Sequence, residues 1–385
     1  MENKKHRSKG AVPDTEVYEM VSLLNFNDPE ERYEYEQFVS HHPCGTFFQS
    51  LAWRNVKQNW KHEAVVVRDG QGKIQATMLV LVKPLPWLRS SILYSPRGAV
   101  CYPEDTFLFS SLTQGALMAA KKHHACLFRV DPPVEEGNAR FLGAMVCQGF
   151  SHVSHADEDT TVQCRSHYQL SIAGKTKEEV LASFKSKWRY NIRLAQRKGV
   201  QCHFYGMERL DDFMKLMWET GRRDHFAIRN REYFARIMES FGSACRLYLC
   251  EYEGQVLSGA IAIQYGTTTS YVYGASSNTH RNLMPCYLMQ WEMMQWAIDS
   301  GNTIYDFQGI PHYNEPKHPN YGVYRFKQGF SGEIIVYAGE FDYVIHPLKK
   351  KIFDQCQKGF RALVKIKLWG ERCLPQHPLR TSDCV

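Results

Sequence analysis

Residues 245–266 read CRLYLCEYEGQVLSGAIAIQYG, two apolar runs broken at Glu253-Gly254-Gln255. Runs of strand-forming residues on either side of a glycine turn predict an antiparallel hairpin. Working outward, 268–274 (TTSYVYG) predict a third strand, 275–284 (ASSNTHRNLM) a loop, Pro285 to near Ser300 a helix, and 303–309 (TIYDFQG) a further strand. Pro285 suits a first helical turn, where its missing N–H would be unpaired in any case. The same order occurs earlier: 63–68 (EAVVVR), the turn 69–72 (DGQG), 73–82 (KIQATMLVLV), 90–96 (SSILYSP), the loop 97–105 (RGAVCYPED), a helix over about 105 to 122, and 125–131 (ACLFRVD). Two copies of hairpin, strand, loop, helix and strand predict an α/β protein with two similar domains, each a mixed sheet flanked by helices. The expected layout is a flexible basic N-terminus over 1–16, a first subdomain over 17–165, a second over 166–340, and a basic amphipathic C-terminal segment over 341–385, packed on the first subdomain or on a membrane.

The 385 residues, 44% hydrophobic and 23% charged, have the composition of a globular chain and leave room for two cores. A net charge of +7 fits a partner rich in phosphate, RNA or anionic lipid without requiring one. The start, MENKKHRSKGAVPDTEVYEM, has no apolar stretch of the signal-peptide or anchor kind. No apolar run approaches the roughly 18 to 20 residues of a spanning helix. Twelve cysteines without a CxxC pair read as reduced cytosolic thiols, so the expected location is cytoplasmic. The histidine doublets at 41–42 and 123–124 lack partners at metal spacing, and no metal is expected.

Four clusters carry chemistry. Residues 184–199 (FKSKWRYNIRLAQRKG) hold six cations and no acid. Lys185, Arg189, Arg193 and Arg197 recur every fourth residue, on one helical face, beside the apolar stripe Phe184, Trp188, Ile192 and Ala195. Such a face meets either water or an anion. FFQSLAWRNVKQNW (47–60) places Lys57 among aromatic residues, either as a lysine lying along a core helix or as a ligand contact. TGRRDHFAIRNREYF (220–234) carries arginine forks suited to phosphate, or to an ordinary helix surface. In YGVYRFKQGFSGE (321–333), Lys327 is either held near the sheet edge between rings at 326 and 330, or left on the surface of a hairpin with both rings in the core. Neither a Ser/His/Asp nor a Cys/His set stands out, which disfavours a covalent acyl-enzyme.

The repeated order resembles the acyltransferase fold of the GNAT superfamily, so the expected fold is two tandem GNAT-like (acyl-CoA N-acyltransferase-like) subdomains. The glycine-rich loop with which that superfamily cradles its donor pyrophosphate is missing from both copies, which disfavours a coenzyme A donor.

FFQSLAWRNVK, YSPRGAV, FKSKWRYNIRLAQRKGV, YVYGASSNTHRNLMPCYLMQWEMMQWA, YDFQGI and GVYRFKQGFSGE, spread in order over about residues 45 to 335, together resemble the Fem family of peptidoglycan bridge-forming transferases, in its compact form without a coiled-coil arm. The resemblance implies a precursor cleft in or beside the first subdomain, with the precursor diphosphate held by Lys57 and Arg229, the latter matched through its spacing to Tyr233 in preference to Arg223. It also implies that Tyr273 lines the cleft, that Phe326 and Lys327 lie where the tRNA acceptor end meets the reacting amine, and that Asp131 is an acid/base group. Cys164 stands where proline is expected, a departure expected to touch the linker and leave the chemistry alone. The implied partners are aminoacyl-tRNA as co-substrate, with no cofactor, and a UDP- or lipid-linked muropeptide. Glycine, alanine or serine would pass to the stem peptide, with the basic ladder meeting tRNA phosphates and the C-terminal segment contacting anionic lipid at the inner face of the plasma membrane. The alternatives are transfer to a protein N-terminus or lipid head group, or a CoA-dependent N-acyltransferase.

Overall fold

The computed structural model describes residues 20–153, 161–224 and 226–370, with side chains to 360. The N-terminal 1–16 segment and the end of the C-terminal segment lie outside the described residues. The first half runs β1 (Met20–Leu23), α1 (Pro29–His41), α2 (Leu51–Val56), β2 (Lys61–Arg68), β3 (Ile74–Leu85), β4 (Ser90–Pro96), α3 (Thr106–Lys122), β5 (Ala125–Asp131), α4 (Ala139–Cys147) and β6 (Phe150–His152). The second runs β7 (Ser166–Ser171), α5 (Lys177–Ser183), α6 (Ser186–Arg197), β8 (Gln201–Tyr205), α7 (Leu210–Asp224), α8 (Arg231–Phe241), β9 (Cys245–Tyr252), β10 (Gln255–Tyr265), β11 (Thr268–Ser276), α9 (Pro285–Asp299), β12 (Ile304–Gly309), α10 (Tyr321–Lys327) and β13 (Glu333–Val336), and the chain closes with β14 (Phe341–Val344) and α11 (Pro347–Gly370). Only three residues separate α6 from β8, which leaves no space there for an inserted arm.

Each half builds a seven-stranded sheet, in the orders β1-β2-β3-β4-β5-β14-β6 and β13-β7-β12-β11-β10-β9-β8. The two hairpins and the parallel pairs that follow them, β4 with β5 and β11 with β12, correspond strand for strand. Each parallel pair needs a crossover, supplied by α3 and α9. β14 pairs with β5 and β6, so the chain returns from the second half to complete the first sheet before α11 begins. α11 packs through Phe353 on Leu85, Ile92, Cys126 and Leu127.

The two halves share one core. Phe47, Phe48, Trp53 and Trp60 of the first pack with Phe213, Tyr233, Phe234 and Phe241 of the second. Tyr265 donates to Glu36 at 2.7 Å, and Arg236 donates to the carbonyl of Val56 at 3.3 Å, tying α8 to the end of α2. An apolar interface of this kind fixes the two halves relative to one another, unlike the polar contacts of domains that move.

The sheets differ where they open. β4 and β5 stay paired to their ends, Pro96 opposite Asp131. β11 and β12 pair only from Thr268–Ile304 to Ser270–Asp306, after which β11 continues against β10 and β12 turns away. The second sheet is therefore splayed.

Candidate active site

A cavity of about 270 Å³ lies at this splay, beside the first half and between it and the second. Val272 and Tyr273 of β11 and Gln308 and Gly309 of β12 form its lips, and Phe48, Trp53, Lys57, Trp60, Tyr94, Cys164, His167, Arg229 and Tyr233 are among the residues that close it.

Lys57 caps the C-terminus of α2, whose first turn is held by the Ser50 hydroxyl accepting from the Trp53 N–H at 3.1 Å. Its Nζ stands 5.5 Å from the ring centres of both Trp53 and Tyr233. Arg229 precedes α8, where Asn230 accepts from the Tyr233 N–H at 3.0 Å, and its guanidinium lies 5.2 Å from the Tyr233 ring. Two cations thus lie within 5.5 Å of the Tyr233 ring centre, and its hydroxyl meets that of Tyr273 at 3.0 Å. Lys57, Arg229, Tyr233 and Tyr273 all line the cavity. Arg223 is engaged elsewhere, on the Ser276 carbonyl at 2.8 Å and the Asp224 carboxylate.

Lys327 is neither on a hairpin nor on the surface. YGVYRFK forms the short helix α10, and Lys327 is 5% exposed. Its Nζ donates to the carbonyls of Phe307 at 2.6 Å and Gly309 at 2.7 Å, with that of Gln308 at 3.4 Å. The turn that converges these oxygens needs a positive φ at Gln308, and the Asp306 carboxylate holds it by accepting the Gln308 N–H at 2.6 Å. Burial pulls the Lys327 amine down to about 8, against the attraction of Asp306. Lys327 lies one layer behind the cavity wall made by Gln308 and Gly309. Phe326 is not among the cavity-lining residues; its ring packs against Tyr287 and Phe330, and its carbonyl accepts from the Trp188 indole at 2.8 Å.

Asp131 does not line the cavity either. It is 1% exposed, accepts from the Arg97 N–H at 2.9 Å, and is pushed up to about 7 by burial, partly offset by Arg97. An acid/base role in contact with the amine does not match this placement. Cys164, in contrast, lines the cavity and presents its carbonyl to Arg97 at 2.7 Å, so this departure from proline is on the site and not only in the linker.

The basic ladder is uneven. Phe184, Ile192 and Ala195 are buried as the stripe requires, while Lys185, Arg193 and Arg197 are exposed. Arg189 is turned onto the carbonyls of Ala182 and Phe184 at the end of α5, a helix-capping arrangement.

His167, Arg97, Asp306, Tyr94 and Gln308 were not singled out individually from the sequence, whereas Trp60 belongs to the aromatic cluster around Lys57. The YDFQG strand end was the one signal that pointed at Asp306 and Gln308, whereas nothing local marks His167. In the loop between β11 and α9, the position at which GNAT enzymes hold a pyrophosphate, the Glu219 carboxylate accepts from the Asn278 N–H at 2.6 Å and the Ser277 hydroxyl at 3.2 Å. An internal anion occupies those donors, which disfavours a coenzyme A donor there. Among the described residues no group of three or more metal-ligating side chains converges.

The architecture is a tandem pair of GNAT-like subdomains with a lysine-backed cavity at a splayed sheet. The model of the FemAB family matches residues 30–254 and 250–358, and the chain belongs to that family of aminoacyltransferases. It is 31% identical over 334 residues to the UDP-N-acetylmuramoylpentapeptide-lysine N(6)-alanyltransferase of Weissella viridescens, covering 85% of this chain and 97% of that one. It is 26% identical over 409 residues to the lipid II:glycine glycyltransferase of Staphylococcus aureus (strain USA300), covering 86% and 96%. The crystal structure of FemX superposes with a TM-score of 0.77 at 26% identity, covering 83% of this chain and 98% of that one. A tandem GNAT protein from the clavulanic acid pathway, at a TM-score of 0.53 and 10% identity over 84% and 98%, shares the fold.

Proposed function

We propose that this aminoacyltransferase transfers glycine, alanine or serine from aminoacyl-tRNA to the stem peptide of a UDP- or lipid-linked muropeptide in interpeptide bridge formation. The observation that carries the reading is the convergence of Lys57, Arg229, Tyr233 and Tyr273 on one cavity with the Lys327 ammonium behind its wall. Two cations beside a tyrosine suit a diphosphate, which is bound best by charge-assisted hydrogen bonds. The named activities of the alanyl- and glycyltransferase relatives support a muropeptide acceptor.

The acceptor amine attacks the ester carbonyl, a C–N bond forms, and the tetrahedral intermediate expels the terminal ribose hydroxyl, which takes up the proton the amine gives off. The ester is already activated, so positioning and oxyanion stabilisation suffice. Lys327 supplies positive charge to the developing oxyanion or holds the tRNA 3′ end. Lys185, Arg193 and Arg197 meet tRNA phosphates, while Arg189 caps the preceding helix α5. The site of action is cytoplasmic. α11 exposes Leu348, Ile352 and Phe360 among lysines, which suits peripheral contact with anionic lipid at the inner membrane face. No described helix is long and apolar enough to cross a membrane.

The test is a transfer assay with a tRNA pool charged with one labelled amino acid at a time and UDP- or lipid-linked muropeptide as acceptor. RNase-sensitive movement of glycine, alanine or serine label to the muropeptide is expected. No transfer to either acceptor, where a control transferase works, overturns the proposal.

A further inference from the structure

From the cavity wall inward, buried polar side chains run from one half of the molecule to the other, with His167 itself on the wall. Arg97, 3% exposed at the end of β4, holds Asp131 through its backbone N–H. Its guanidinium donates to the Cys164 carbonyl at 2.7 Å and reaches Nε2 of His167 at 3.0 Å. His167, 4% exposed on β7, lies with Nδ1 3.2 Å from the Asp306 carboxylate on β12. Asp306 in turn accepts from the Gln308 N–H at 2.6 Å, the Gln308 side-chain amide at 3.1 Å and the Gln169 amide at 3.2 Å.

The partners settle the state of the ring. Guanidinium N–H groups only donate and a carboxylate only accepts, so Nε2 is the acceptor and Nδ1 carries the proton. A second ring proton would set an N–H against the guanidinium of Arg97. The neutral imidazole is therefore the form that joins the halves.

We propose that His167 is a positioning residue for the transfer reaction: held between Arg97 of the first half and Asp306 of the second, it fixes the carboxylate that shapes the Gln308–Gly309 wall and the carbonyl cradle of Lys327. The proposal rests on the transfer reaction proposed above. The Gln308–Gly309 wall sits on the lip opposite Tyr273. If Asp306 swings, the Gln308 turn relaxes, and both the cavity wall and the oxygens that hold Lys327 move. Lys57 and Arg229, on α2 and before α8, are placed by other contacts. Loss of the His167 link should therefore reduce turnover and spare precursor binding.

The experiment compares His167→Leu, which can neither donate nor accept, with His167→Gln, whose amide can do both. Turnover and Michaelis constants are measured with UDP-linked muropeptide and alanyl- or glycyl-tRNA, and thermal melting is measured alongside. His167→Leu is expected to lose about 10-fold to 100-fold in turnover, the range for small misplacements at an active site, with the muropeptide Michaelis constant within about two-fold. His167→Gln is expected to recover most of that loss. Near-normal turnover in His167→Leu, a glutamine variant as slow as the leucine one, or a parallel rise in the muropeptide Michaelis constant overturns the proposal. Should His167→Leu not fold, Asp306→Asn takes its place, with the same loss expected and near-normal turnover overturning the idea. Lys327→Ala is run in parallel: if it keeps full turnover, the role proposed for Lys327 fails, while the leucine and glutamine comparison still decides whether His167 positions the wall.

Discussion

The ammonium of Lys327 lies 2.6 Å from the carbonyl oxygen of Phe307, the residue at which β12 has already parted from β11. Strand separation and lysine burial are two aspects of one arrangement: carbonyls that would otherwise belong to a parallel ladder are turned onto a cation. An unpaired buried carbonyl costs roughly 1–3 kcal/mol, so the lysine stabilises the opening that it backs.

Lys327→Ala should lower turnover by about 10²-fold to 10³-fold, the range for loss of an oxyanion-stabilising donor, with modest change in either Michaelis constant. Because the folded amine titrates near 8, its positive charge is lost as pH rises through that value. Turnover should fall along an alkaline limb centred there. Lys327→Arg, which remains charged, should lack this limb, and a pH–rate series on both proteins is the check.

For Lys57→Ala and Arg229→Ala the expectation is reversed: the Michaelis constant for the muropeptide should rise about 10-fold or more while turnover is largely kept. Each removes a charge-assisted contact worth about 1.5–3 kcal/mol. A muropeptide lacking the diphosphate should bind both variants and the parent protein alike, and a clear difference would remove the diphosphate assignment.

Charge reversal at Arg193 and Arg197 should raise the Michaelis constant for aminoacyl-tRNA more than that for the muropeptide. Each lost phosphate contact should also flatten the plot of log affinity against log salt by about 0.7 to 0.9. Equal effects on the two substrates would refute tRNA contact. Arg189→Ala should show mainly as a lower melting temperature, since this side chain caps α5.

Asp131→Asn should alter the pH dependence of stability. The folded carboxyl is raised from 3.8 to about 7, so the folded state holds its proton more tightly than the unfolded chain. That contribution is complete below about 3.8 and lost as pH rises to about 7. The asparagine variant should lose less stability between these limits in denaturant titrations. Parallel curves would mean that Asp131 does not titrate there.

Gly329→Ala should destabilise the fold by about 1–3 kcal/mol, the usual cost of overpacking. A β-carbon there would stand 2.1 Å from the Trp188 ring, which is pinned by its bond to the Phe326 carbonyl. Equilibrium unfolding of the variant measures the loss.

The repeat of hairpin, strand, crossover helix and strand was legible in the sequence because each element is set by local chemistry: alternating apolar runs, glycine turns, and a proline opening α9. The buried stripe of α6 was legible for the same reason. Lys57, Arg229, Tyr233 and Tyr273 were marked by a family resemblance, and the cavity brings them together from α2, the start of α8 and β11. What tertiary structure alone decided was non-local. It put Lys327 inside the protein because β12 diverges from β11, and it turned Arg189 from a ladder cation into a cap. It also moved Asp131 off the cavity wall and returned β14 to the first sheet. His167 acquires its environment from Arg97 and Asp306, 70 and 139 residues away along the chain. Side chains that far apart meet only when both sheets have closed on the shared core, so no local pattern records the contact.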